Sequence, residues 1–483
     1  MATNDHGEHA PIDRKADITI VGGGLAGLAA CIEVATRNPS LSIVLVEKEG
    51  KLGGNSAKAS SGINAALNDD DAPVFEKDTL ESGTGLAARS LVDVFVRNSR
   101  DAIAFLEKQG HVDLSVLSQL GGHSAKRTHR NTQGPNVGFA IVSALQKLIT
   151  DHIESHDWHI DVVTSASAEQ VLFENDRVTG LVIDRVDKTG RDEGAGEPLR
   201  ETIESSVVIL ATGGYSANPE LLKKFAPGVE DFPTTNGPWA RGDGIGLAQQ
   251  LGAELVLMDK VQLHPTAFIN PKDRSAKHKF LAPEAIRGSG ALLINSSGKR
   301  FVNELATRDK VAAAILAQPS KDAYMLLFEG AKDMETTLGF YKHMGLVQVA
   351  HSIEEAAALC HVDAFVLQQT LNDYAEVSHS QQPDAFGKTV FPHPLHYAED
   401  VTSHMEIHVM EVAPAVHYTM GGVKINEHAQ VLRSDDSAIA GLYAAGEVSG
   451  GLHGANRLGG NSLAECVVFG RIAAQQAVQQ LAH

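Results

Sequence analysis

Cysteine is nearly absent from this 483-residue chain. The three present, Cys31, Cys360 and Cys466, are far apart, and no CxxC occurs. That argues against a disulfide framework, an iron–sulfur cluster and a cysteine zinc site. Without CxxCH, no c-type haem is attached to this chain. Long hydrophobic runs are also missing: none reaches the roughly 18–20 residues that span a bilayer. Basic charge is in deficit, with 41 Lys and Arg against 60 Asp and Glu and a net charge of −19. This balance disfavours nucleic acid and anionic membranes as partners. A buried pocket sets its own local field, so an anionic ligand is still allowed. Met1 to Asp17 lacks the apolar core of a secretory signal and the Arg-rich, acid-poor character of a mitochondrial leader. The terminal Leu481-Ala482-His483 is not a peroxisomal address. A cytoplasmic protein is expected. Ten of the 22 histidines fall between 341 and 430; they read as ordinary side chains, and no metal site is expected.

What the chain does contain is punctuation for a nucleotide fold. At 483 residues, two domains are the default. A short apolar run, Ala16 to Val21, reads as a strand, Leu25 to Thr36 as a helix, and Leu41 to Glu47 as a second strand. That order is a βαβ unit. Between its first strand and helix stands Gly22-Gly23-Gly24-Leu25-Ala26-Gly27, a GxGxxG turn. Such glycines let the backbone approach a pyrophosphate, with the helix N-terminus facing its charge. Glu47 lies twenty residues past Gly27, where a carboxylate accepts hydrogen bonds from a ribose. Three further features favour FAD over NAD. Gly53-Gly54-Asn55-Ser56 follows the second strand directly. Val207 to Gly214 is a buried strand with a Gly-Gly turn. Leu442 to Glu447 is a strand ending in Gly-Glu, suited to placing a carboxylate by the ribityl chain.

Residues 160–212 alternate like strands, with a polar excursion from Asp187 to Ser205 that reads as a solvated hairpin tip. From about 258 to 418 the pattern is mixed helix and strand, including a Pro/His/Gln-rich loop near 379–396. Beyond it the chain returns to strand and then helix. The expected fold class is α/β: a Rossmann-like FAD-binding domain (16–257 and 419–483) with an inserted α+β capping domain (258–418) and a flexible tail at 1–15. Pockets form preferentially at such junctions.

The motifs GGNSAKASSGINAA (53–66), LGGHSAKRTHR (120–130), VQLHPT (261–266), APEAIRGSGALLINSSGKRFVNELATRDK (282–310), VHYTMGGV (416–423) and AAGEVSGGLHGANRLGGNS (444–462) occur in that order. With them the chain resembles the FAD-dependent soluble fumarate reductases, relatives of the succinate dehydrogenase flavoprotein and L-aspartate oxidase. It looks closest to the yeast and trypanosomatid type. The resemblance implies reduction of fumarate to succinate by hydride from flavin N5. It places His264 on one substrate carboxylate and His417 and Arg457 on the other, with Gln262 among the binding residues. It makes Arg308 the proton donor, with Glu284 and Arg287 as the relay that reprotonates it. Residue chemistry alone makes Arg308 an electrostatic clamp, because a guanidinium ordinarily keeps its proton. For FAD it implies Gly22, Gly24, Ala26, Gly27, Glu47, Lys48, Gly54, Asn55, Ser56, Ser61, Gly62, Ala211, Thr212, Gly213, Asp243, Glu447, Ser462 and Leu463.

Three features depart from the family pattern. Pro283 stands where bacterial flavocytochrome members carry a carboxylate-binding Thr. An extra loop, Asn270 to Lys279, separates His264 from Glu284. The loop after the Gly-Gly motif reads Ala59-Ser60-Ser61-Gly62, without the histidine to which respiratory members attach FAD, so non-covalent FAD is expected. The electron donor stays open between free reduced flavin, a separate reductase and a fused domain. Alternative chemistries are a sister ene-reductase of the urocanate type and an L-aspartate oxidase.

Overall fold

The computed structural model describes residues 12–186, 198–328, 334–380, 382–392, 395 and 405–482. The first eleven residues of the expected tail, the 187–197 part of the expected hairpin tip, and His393, His396 and His404 lie outside the described residues.

The core of the larger unit is a parallel sheet. Ala438–Ala444, Val207–Leu210, Ile18–Val21, Ser42–Glu47 and His159–Thr164 lie side by side, all parallel. One rung reads Tyr443, Ile209, Ile20, Leu45, Val162. The sequences ITIV, SIVLVE and VVIL lack polar alternation because both faces are covered. The helices Leu25–Arg37 and Asn461–Leu481 cover one another closely: a Cβ on Gly470 would lie 2.5 Å from the Ala26 carbonyl oxygen. Antiparallel strands Ala166–Glu174, Arg177–Arg185 and Leu199–Glu204 extend the sheet. Beyond them, Ile12–Lys15 pairs in parallel with Leu199–Glu204. This corrects the expected tail: residues 12–15 form an edge strand, because Arg14 reaches Glu201 at 2.9 Å and also pairs with Asp161.

A second sheet is antiparallel. Its long strand, Ile407–Thr419, is flanked by Val261–Phe268 and Ala323–Phe328, with Leu292–Ile294 at one edge and Gln348–Ala350 pairing its start. One apolar cluster, including Phe268, Met325 and Val412, fills one side; the helices Ile353–Leu359 and Ala364–Ser380 pack on another. The Val261–Phe268 strand carries register shifts after Gln262 and after His264. Bulges of this kind re-aim side chains, and they accommodate Pro265, which cannot donate to the ladder. No described helix is long and apolar enough to cross a membrane.

Candidate active site

A cavity of about 770 Å³ runs from the carboxyl ends of the parallel strands to the second sheet. That is the place where open α/β sheets take ligands. At its first end Gly22 adopts φ +108°, and a Cβ there would lie 2.4 Å from the Ala211 carbonyl, so only glycine fits. Gly27 packs against the same turn: a Cβ would meet the Gly22 carbonyl oxygen at 1.9 Å. Every residue expected at the cofactor lines the cavity except Gly27, which shapes the turn from behind. Glu47 closes the Ser42–Glu47 strand and accepts the Gly23 and Glu49 N–H groups at 2.8 Å each. Burial pushes its carboxyl up, against these backbone bonds, and its oxygens keep lone pairs for ribose hydroxyls. Lys48 and Asp243 pair across this end of the cavity at 2.5 Å.

The donor set fits FAD. Buried polar groups are almost always hydrogen-bonded, yet the Thr212 and Ser60 hydroxyls and Arg457 Nε, all on cavity-lining residues, have no partner among the described residues. Glu447, in the middle of the wall, accepts the Thr419 N–H at 3.0 Å and its hydroxyl at 3.1 Å. Burial pushes its carboxyl up to about 7.

At the other end Arg308, His417 and Arg457 share the wall. Arg308 begins the helix Arg308–Leu316 and is 4% exposed. Its Nε donates to Glu284 Oε2 at 2.7 Å and its Nη1 to Gln262 Oε1 at 3.0 Å. Glu284 is fully buried at the start of the short helix Glu284–Gly288. The Gly121 N–H donates to its Oε1 at 3.0 Å, and Arg287 Nη2 lies 3.6 Å from the same oxygen. Burial alone would raise the Glu284 carboxyl, but Arg308 and Arg287 hold it below the usual range. Arg287 is itself fully buried, which lowers its pKa. Arg457 stacks on the Tyr418 ring at 4.1 Å. Burial, aided by Arg308, brings its guanidinium down to about 10.

His264 and Gln262 do not reach the cavity surface; with Glu284 and Arg287 they form a layer behind it. Gln262 Nε2 donates to the Arg457 carbonyl at 2.7 Å, so this one side chain ties Arg308 to the Arg457 backbone. The His264 ring meets that of His417 edge-on, 5.0 Å between centroids. Burial and the Arg308 charge push His264 well below the ordinary histidine range, so it is neutral. Its tautomer is fixed, because the Thr266 N–H donates to Nδ1 at 3.2 Å and the ring proton must sit on Nε2. That N–H is buried without a partner among the described residues.

Several residues around the cavity carried no sequence signal. Thr235, Asn236 and Trp239 line it from a segment without a motif, and Lys58 lines it from within the 53–66 motif, with no role assigned to it there. Tyr418 bonds Glu465, which also receives His453 Nε2 at 2.7 Å, so a buried chain stands behind Arg457. The Asn270–Lys279 loop is pinned by paired Arg274–Glu411 bonds of 2.6 and 2.5 Å. Among the described residues, no cluster of three or more His, Cys, Asp or Glu is arranged to hold a metal.

The FAD binding domain family matches residues 17–463. Fumarate reductase 1 of Saccharomyces cerevisiae is 40% identical over 474 residues, covering 95% of this chain and 97% of the yeast protein. The NADH:fumarate oxidoreductase of Klebsiella pneumoniae is 36% identical over 99% of this chain, which spans only 49% of that protein. Among solved structures, the open conformation of a flavocytochrome c3 fumarate reductase aligns with a TM-score of 0.73 and 31% identity, covering 98% of this chain and 79% of that one. The chain therefore belongs to the FAD-dependent soluble fumarate reductases, within the succinate dehydrogenase and fumarate reductase flavoprotein superfamily, and is an FAD-dependent oxidoreductase.

Proposed function

We propose that this protein reduces fumarate to succinate with non-covalently bound FAD. The observation that carries the proposal is the meeting of Arg308, His417 and Arg457 in one wall of the cavity whose far end holds the dinucleotide turn. FAD, which the Gly22–Gly27 turn, Glu47 and Glu447 would hold, would when bound and reduced supply the hydride for one alkene carbon. Arg457 and His417 grip the adjacent carboxylate and stabilise the charge that develops there. His264, with its Nε2–H, serves the other carboxylate once the wall closes on substrate. Arg308 delivers the proton to the second carbon. Glu284, held ionised between Arg308 and Arg287, is placed to take a proton from Arg287 on its inner side and pass it to Arg308, replacing the one lost to the product. Residues 258–418 act as the cap that excludes water from these charges.

Pro283 offers neither a hydroxyl nor an N–H beside the substrate end. Phe280 and Leu281, three and two residues before it, line the cavity. This supports a second reading, an ene-reductase whose acid carries a bulkier group in place of one carboxylate. The relatives leave the donor open. The length of the Klebsiella protein beyond the matched region favours a donor module or a separate reductase over direct use of nicotinamide in this cavity. The test is Arg308→Ala and Arg308→Lys. Both should keep bound FAD and lose most fumarate reduction; wild-type-like turnover in either contradicts the proton-donor role.

A further inference from the structure

His417 is held by two neighbouring residues outside every motif. Asn236 Nδ2 donates to the His417 carbonyl at 2.7 Å. The Thr235 hydroxyl lies 2.7 Å from His417 Nδ1. Among the described residues, the only other acceptor bonded by that hydroxyl is the Val416 carbonyl, at 3.4 Å. That carbonyl already accepts the Thr235 N–H at 2.9 Å and the Thr234 hydroxyl at 3.1 Å. With that carbonyl farther away and already accepting two donors, the imidazole nitrogen is the better acceptor for the Thr235 proton.

The geometry points to Thr235 as a positioning residue that fixes the tautomer of His417, so that its Nε2 carries the proton and donates to a substrate carboxylate. This rests on the proposed carboxylate-reducing site. Burial and the Arg308, Arg457 and Lys58 charges push the ring well below the ordinary histidine range, so it is neutral before substrate arrives. A neutral ring has two tautomers. The one with its proton on Nδ1 would turn a lone pair on the anion and repel it. Thr235 selects the other, as the Thr266 N–H does for His264. The two imidazoles thus form a matched pair of Nε2–H donors.

The extra loop gains a role from this arrangement. Thr234 is gripped between the Lys277 carbonyl (2.8 Å) and the Lys279 N–H (2.9 Å). His278 Nδ1 lies 3.1 Å from the Asn236 carbonyl. From the other side Lys58 Nζ donates to the Thr235 carbonyl at 2.9 Å. The loop is a brace that keeps Thr235 at the ring.

The test uses the full chain loaded with FAD. Thr235→Val removes the hydroxyl at nearly constant shape; Thr235→Ser restores it. Succinate affinity and the KM for fumarate should weaken about tenfold in the Val variant, the loss of one hydrogen bond to a charged group. FAD affinity should be unchanged, and Ser should return both values to near wild type. Imidazole ¹⁵N spectra, with His417 assigned by its loss in His417→Gln, should show the Nε2-protonated ring in the wild type and a tautomer mixture in the Val variant. An Nδ1-protonated His417 in the wild type, or undiminished succinate affinity in the Val variant, overturns the inference. The spectra and succinate binding read Thr235 without turnover. A failure to reduce fumarate therefore counts against the reaction and leaves these two arms to decide the residue.

Discussion

Gly459 packs against both Glu284 and Arg308 of the proposed proton relay. A Cβ there would lie 2.5 Å from Glu284 Oε2 and 2.9 Å from Arg308 Nη2. A carbon rests against an oxygen at roughly 3.3 Å, so Gly459→Ala forces the carboxylate to move by about 0.8 Å. A flexible acid on a surface would swing aside at little cost. Glu284 is fully buried, bonded to Arg308 at 2.7 Å and to the Gly121 N–H at 3.0 Å. It can move only by breaking the contact that joins it to Arg308. Misplacement on the ångström scale costs about 10²-fold in rate, so kcat should fall about a hundredfold. FAD content should stay at wild-type level. The assay is anaerobic oxidation of reduced viologen by fumarate, with flavin content read by absorbance. Gly339→Ala is the control: no atom lies within 4 Å of its Cβ in the helix Glu335–His343. It should turn over normally and gain about 0.5–1 kcal/mol of stability. Wild-type kcat in Gly459→Ala, at full flavin content, would refute the idea that turnover needs the Glu284–Arg308 contact.

Three other expectations concern stability and the cofactor. Glu304 is buried against Lys388 at 3.0 Å and Arg300 at 2.8 Å; burial alone would raise its carboxyl, but these cations bring it down to about 2. Its contribution is present above the unfolded value of about 4.3 and is lost as pH falls towards 2. Glu304→Gln leaves Lys388 buried without its carboxylate and should cost about 3–5 kcal/mol at pH 7; in urea melts the deficit should shrink below about pH 4. Glu447 shows the opposite sign: its folded pKa of about 7 means that the apoprotein loses stability as pH rises from about 4 towards 7. Glu447→Gln should raise the apoprotein Tm at pH 8 and leave it unchanged at pH 4. Acid denaturation should release intact FAD and leave an unmodified protein mass; a flavin adduct in the mass spectrum would contradict non-covalent binding.

Local chemistry was the legible part of this chain. The Gly22–Gly27 turn, the uninterrupted apolar strands and Glu47 each follow from a few adjacent residues, so the nucleotide half of the fold and its cavity lining could be read directly. The meeting of Arg308, His417 and Arg457 came from family motifs, since nothing in their spacing brings three segments together. The rest depends on pairings across long stretches of chain. Arg14 finds Glu201 across 187 positions, which is why residues 12–15 resembled a tail. The withdrawal of His264 behind the wall follows from register shifts on either side of it, and a bulge leaves no mark in a motif. Thr235 acts through a ring 182 residues away, inside a segment whose only local signal is that of a turn.

The central claim is tested most directly by giving the FAD-loaded protein, reduced by viologen without oxygen, fumarate alongside urocanate, crotonate and mesaconate. Rapid viologen oxidation with fumarate, accompanied by stoichiometric succinate, is the predicted result. Turnover of another acid without fumarate would contradict the substrate assignment, and no turnover of any acid by fully flavinated protein would contradict the reductase itself.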